Sequence, residues 1–144
     1  MSGTVEEIHL VAANGGPPAP VVEVRGEPGR GLEGDRHWDA PEAGDITLIE
    51  LEALERLHDD SGIDLRDGTH RRNVTVRGVD LGALVGRRFR VGEVECVGEE
   101  RCEPCLYLAK LTAFEVLRGL VHTGLRADVV TGGTIRVGDR IELL

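Results

Sequence analysis

The sequence predicts a mainly β, barrel-like domain of mixed strands and β-hairpins with one or two flanking helices. Short runs of alternating or β-branched residues recur in both halves of the chain, and glycine-rich turns divide them. Only the stretch from about Ile49 to His58 carries a clear helical period.

Taken in chain order, Val5 to Val11 alternates imperfectly and Val21 to Val24 is a short apolar run. Both read as strands, separated by the loop Asn14-Gly15-Gly16-Pro17-Pro18. Gly29, Gly31 and Gly34 then break up the stretch to Trp38, which reads as a loop able to face a ligand, because glycine permits close approaches that a Cβ forbids. Asp45 to Leu48 predicts a short strand running into the helix. Leu48, Leu51, Leu54 and Leu57 mark one helix face, with Glu50, Glu52 and Glu55 off it, and the helix should stop before Ser61-Gly62. Asn73 to Arg77 alternates again, and Arg87–Val91 with Glu93–Val97 flanks Gly92 as a hairpin. The closing segment places Gly132-Gly133 and Gly138-Asp139 as turns between Ala127–Val130, Thr134–Val137 and Arg140–Leu143. Between the two β blocks stands Arg101-Cys102-Glu103-Pro104-Cys105, where Pro104 suits a first helical turn. A helix starting there sets Cys105 near its positive end, which favours a thiolate.

At 144 residues the chain fits one domain, residues 1–144, large enough to bury a substantial core. Its net charge of -9 argues against non-specific nucleic-acid binding, which needs surplus Lys and Arg. No stretch approaches the ~20 apolar residues of a membrane helix, and the first residues lack a signal-peptide pattern, so a cytoplasmic protein off the membrane is expected. Cysteines in such a setting stay reduced and do not form a disulfide framework.

Cys102 and Cys105 form a Cys-x-x-Cys pair, a spacing that serves metal binding, a redox disulfide or a persulfide with a resolving partner. The bland alternative is two small buried hydrophobes. A structural zinc needs four ligands, and Cys96, His70 and His122 are too scattered to complete a set. A thioredoxin-type role wants βαβ units, which the pattern lacks. Cys96, inside a strand-like run, reads as packing. Arg71 and Arg72 in Thr69-His70-Arg71-Arg72-Asn73 bring two guanidinium forks to a strand start, suited to phosphate or carboxylate oxygens, or else form a solvated strand end. Asp35, Arg36 and His37 read equally as turn residues capping their own backbone.

In order, these segments resemble the MOSC family, named after the carboxy-terminal domain of molybdenum-cofactor sulfurases. The matching pieces are Gly31 to His37, Ile46 to Glu50, Arg71-Arg72-Asn73-Val74, Leu84-Val85-Gly86, Cys102-Glu103-Pro104-Cys105 and Gly133 to Asp139, which span nearly the whole chain. The resemblance is to the small stand-alone prokaryotic type. It implies a β-rich barrel, a functional cysteine near its later strands, and handling of molybdenum cofactor or of sulfur destined for metal–sulfur centres. In the amidoxime-reducing relatives, the second cysteine of the pair ligates molybdenum, which implies Cys105 as metal ligand and, with Cys102, as catalytic thiol. Their Arg-x-Asn falls on Arg71 and Asn73, and Asp35 and His37 complete the implied cofactor-binding set in one cleft with Cys105. The separate amino-terminal β-barrel domain of those enzymes has no counterpart in this length.

Three functions stay open: a sulfur carrier or transferase using a Cys105 persulfide; a molybdenum-dependent reductase of N-hydroxylated compounds; and a non-catalytic module binding cofactor or a partner protein. The implied cofactor is molybdenum cofactor (molybdopterin), and the implied partners are that cofactor or a sulfur donor or acceptor protein. Pyridoxal phosphate is not expected, because it needs a Schiff-base lysine in a dedicated domain and Lys110 is the sole lysine.

Overall fold

The computed structural model describes residues 1–40, 44–103, 115–120 and 122–144. In chain order its elements are β1 (Ser2–Leu10), β2 (Ala19–Val21), β3 (Glu23–Glu27), β4 (Gly31–Leu32), β5 (Ile46–Glu50), α1 (Leu51–Ser61), β6 (Val74–Arg77), a 3-10 turn (Leu81–Leu84), β7 (Arg88–Val91), β8 (Val94–Glu100), α2 (Glu115–Gly119), β9 (Leu125–Thr131), β10 (Gly133–Arg136) and β11 (Arg140–Leu143). The helix start expected at Pro104, and Cys105 with it, lies outside the described residues.

Seven strands close into a barrel in the order β11-β7-β8-β9-β5-β6-β1, with β1 returning to β11 through Ser2↔Glu142 and Thr4↔Arg140. Closure removes the free edges that an open sheet would present. The pairing of β5 with β6 is parallel, while the other barrel pairs are antiparallel. A parallel pair cannot be joined by a tight turn, so α1 makes the crossover, a βαβ unit that the strand pattern did not signal.

Alternation along the strands sends one face inward. Val5, Ile8, Ile46, Leu48, Val74, Val76, Phe89, Val91, Val94, Cys96, Leu125, Ala127 and Ile141 fill the interior. Ile49 points the other way and joins Ala53, Leu54, Leu57, Leu65, Val116 and Leu120 beneath the helices. The helix thus begins at Leu51 rather than Ile49 and runs to Ser61, and Leu48 belongs to the barrel interior instead of the helix face. Gly62 ends it as expected, with φ 77 and its N–H on the His58 carbonyl at 2.8 Å.

Two expectations about the edges are corrected. The run Val21 to Val24 is not one strand: Val22 bends out, 77% exposed, and splits β2 from β3. The glycine turns around Thr134–Arg136 do not make hairpins either, because β10 pairs with β3 in a separate three-stranded sheet, β10-β3-β4. Val24, Leu32 and Ile135 from that sheet pack into the barrel's own cluster, and this burial draws β10 away from β9 and β11.

Candidate functional site

The stretch before β6 sends neighbouring side chains to different parts of the molecule. Arg71 takes a left-handed φ of 65, uncommon for a residue with a Cβ. Its guanidinium donates to the Gly16 carbonyl at 3.0 Å. Arg72 instead donates from one terminal nitrogen to the carbonyls of Cys102, at 3.1 Å, and Glu103, at 3.2 Å. Asn73 is buried, its Oδ1 accepting the N–H and hydroxyl of Thr47 at 3.1 and 3.0 Å while its amide donates to the His9 carbonyl.

Asp35 is buried too, with Oδ1 accepting the Val11 N–H at 3.0 Å and Oδ2 the His37 N–H at 3.3 Å. The His37 ring stands 3.8 Å from the same carboxylate. Asp35, Arg71 and Asn73 thereby gather on residues 9–16, the end of β1 and the loop after it. Arg30, stacked 4.2 Å over Trp38, pairs with Asp39 at 2.6 and 3.0 Å and closes the stretch from Arg30 to Asp39 on itself.

Residues 101–103 leave β8 without a strand partner and are held by side chains. Besides Arg72 on one side, the Glu103 carboxylate accepts the His122 N–H at 2.9 and 3.1 Å, and Arg101 donates to the His122 carbonyl. His122 is left-handed as well, with φ 60. Gly124 makes the seat: at φ 74, a Cβ there would lie 3.1 Å from the Cys102 carbonyl oxygen and 3.3 Å from its Cβ. Cys102 is half-buried and lines a recess of about 340 Å3 with Glu100, Arg101, Glu103 and Arg126. A larger cavity, about 460 Å3, lies against His9, Arg66 and Asp67 and touches none of these residues.

Among the described residues, Cys96 and His70 join no metal-ligand set. Cys96 is sealed inside the barrel, where burial first, then the carboxylates of Asp45, Asp128 and Glu95, push its thiol up. His70 is fully buried, and burial, with the charges of His9 and Arg72, lowers its pKa to about 3. Of the residues proposed from sequence, Asp35, His37, Arg71 and Asn73 stand around the end of β1, Cys102 stands across Arg72 from them, and Cys105 is outside the described residues. The contact that joins the two groups comes from Arg72. The Arg71-Arg72 dipeptide was the signal for it, but residue order alone does not say which guanidinium faces the cysteines.

A MOSC domain model matches residues 35–142, from the buried Asp35 through the last strand of the barrel. The chain belongs to the MOSC domain family. Solved structures agree on the fold. This MOSC domain is similar to the YuaD protein of Bacillus subtilis, with TM-score 0.85 and 18% identity over 99% of this chain and 96% of that one. It is also similar to YiiM from Geobacillus stearothermophilus, with TM-score 0.77 and 15% identity over 99% and 75%. For YiiM from Escherichia coli the values are 0.74 and 16% over 100% and 70%. No curated protein matches the sequence. Among the described residues, no helix of this MOSC domain is long and apolar enough to cross a membrane.

Proposed function

We propose that this MOSC domain handles molybdenum cofactor or sulfur through its Cys-x-x-Cys segment, with Cys105 as the working thiolate and Cys102 as its partner. The observation that carries the reading is the pair of hydrogen bonds from Arg72 to the Cys102 and Glu103 carbonyls, which puts a guanidinium at the base of the cysteine segment. Thiolate sulfur is a soft donor suited to molybdenum or to sulfane sulfur, and guanidinium suits the terminal phosphate of a pterin cofactor, so the donor set fits the group. Cys105 would hold the metal, and Arg71 the phosphate. The cofactor, when bound, supplies the redox chemistry. This chain's residues bind and orient it, with Asp35, His37 and Asn73 bracing the loops around it. In the carrier form, the Cys105 thiolate attacks a donor persulfide, takes its outer sulfur and releases the donor as a thiolate. An acceptor thiolate then takes the outer sulfur and frees Cys105 as a thiolate, or Cys102 attacks the Cys105 sulfur, forming a Cys102–Cys105 disulfide and releasing hydrosulfide.

Metal and pterin analysis together with intact mass of protein from a molybdenum-replete host tests the proposal. Molybdenum with pterin, or a reductant-labile gain of one sulfur, is expected in the native chain and absent from Cys105→Ser, while Cys102→Ser loads less or releases more slowly. A native chain that carries neither, or a Cys105→Ser variant that loads normally, overturns it in favour of a non-catalytic module.

A further inference from the structure

The cysteine segment is held by a relay that starts in a buried histidine. His70 accepts the Arg72 N–H on Nδ1 at 2.9 Å. That bond assigns the ring proton to Nε2, which faces the Thr75 hydroxyl at 3.5 Å. The ring is fully buried and stands edge-on to His9, centroids 5.6 Å apart, so it cannot turn without disturbing the packing around it. The Arg72 backbone is therefore fixed before its side chain extends. At the far end, one terminal nitrogen of that side chain draws two successive carbonyls, those of Cys102 and Glu103, toward a single point. Glu103 precedes Pro104, which restricts it to extended backbone, so the carbonyl direction at residue 103 is narrowed from both sides. Among the described residues Arg72 forms no ion pair with a carboxylate, and its terminal nitrogen serves these two carbonyls.

We infer that Arg72 is a positioning residue for the Cys102 thiol: it clamps the Cys102–Glu103 backbone, and His70 is the acceptor that orients it. The inference rests on the reading that this segment carries the working thiols, but the geometry it asserts is measured without any cofactor or sulfur. Cys96 supplies the control. Sealed in the barrel, it is alkylated only when the barrel opens, whereas Cys102, half-buried at the clamp, responds to the clamp alone.

The experiment follows iodoacetamide labelling of the native chain against pH, with tandem mass spectrometry resolving Cys102 from Cys96 and Cys105. In Arg72→Ala the clamp on the Cys102 backbone is lost and the thiol opens to the reagent. Its limiting rate at high pH rises several-fold, while Cys96 stays unlabelled. Arg72→Lys keeps a donor for the carbonyls and restores part of the protection. His70→Leu removes the acceptor and raises the limiting rate, and His70→Asn, whose side-chain oxygen replaces Nδ1, does not. An unchanged Cys102 profile in Arg72→Ala overturns the inference. So does labelling of Cys96 in step with Cys102, since that makes Arg72 a general support of the fold. A chain that loads neither molybdenum nor sulfur yet shows these shifts refutes the proposed function and leaves the clamp standing.

Discussion

Cys96 and Cys102 lie on one continuous run of chain and occupy opposite physical worlds. Cys96 sits in β8 with Phe89 on one side and Val129 on the other, paired by backbone ladders and closed off from water. Cys102 lies just past the strand's end, where the ladder has stopped and Arg72, His122 and Gly124 do the holding. The barrel wall is specified redundantly, by many interchangeable apolar contacts. The segment beyond it hangs on a few polar contacts, each with one donor or one glycine behind it. A thiol useful for chemistry has to lie in the second environment, because the first keeps it protonated and unreachable.

The wall is where a single substitution costs most. Phe89 is the largest fully buried side chain there, and Phe89→Ala should cost about 3–5 kcal/mol by urea denaturation. Labelling of Cys96 should rise with it. An unchanged urea midpoint would show that the wall is not the cooperative part of the molecule.

Acid sharpens the comparison next. His70 has a folded-state pKa of about 3, and burial lowers His9 below its ordinary value too, against 6.5 for both in an unfolded chain. Between those limits the unfolded chain binds more protons than the folded one. Stability contributed by the neutral histidines is therefore complete above about pH 6.5 and declines as the pH falls, by about 1.4 kcal/mol per unit for each proton taken up on unfolding. The Asp67 carboxyl, held low by the Thr69 hydroxyl and N–H, acts in the same direction and loses its contribution in more acid solution. Urea midpoints at pH 7, 6 and 5 should fall steadily in the native chain and less steeply in His70→Asn. Equal slopes in the two would assign the acid sensitivity to other groups.

The smallest effect belongs to Gly124→Ala. Its φ of 74 strains any other residue, and the new Cβ meets the carbonyls of Leu48 and Cys102 at 3.2 and 3.1 Å. A loss of about 1–2 kcal/mol is expected, together with faster alkylation of Cys102 and none of Cys96. Protection of Cys102 unchanged in this variant would mean that Gly124 does not seat it.

The fold was largely legible because a period of two survives in β6, β7, β8 and β9 whatever their partners. Partnership itself was not legible. Thr134–Arg136 looks like one arm of a hairpin, and only the burial of Ile135 with Val24 and Leu32 reveals that it pairs elsewhere. The helix was read two residues early for a related reason: Leu48 and Ile49 continue the leucine spacing of α1 but serve two different cores from a single strand. At the site, the motif drew attention to Arg71 and Asn73, and a left-handed turn at Arg71 gives the cysteine contact to Arg72. Backbone handedness at a residue with a Cβ leaves no mark in composition or spacing. His70 was equally hidden, since a histidine that accepts a hydrogen bond in the core looks in sequence like any stray metal ligand.

The pairing of β1 with β11 has a consequence in time. β1 finds one of its two barrel neighbours only in β11, ten strands later in the chain, and β7 waits for the same strand. Until Arg140–Leu143 arrives, both carry open edges, and the loop to be closed between β1 and β11 is almost as long as the chain. Such distant pairing makes folding slow and leaves unpaired strands exposed while it waits. The domain is thus most vulnerable to aggregation until β11 docks, and that strand is both the latch of the barrel and the clock for its assembly.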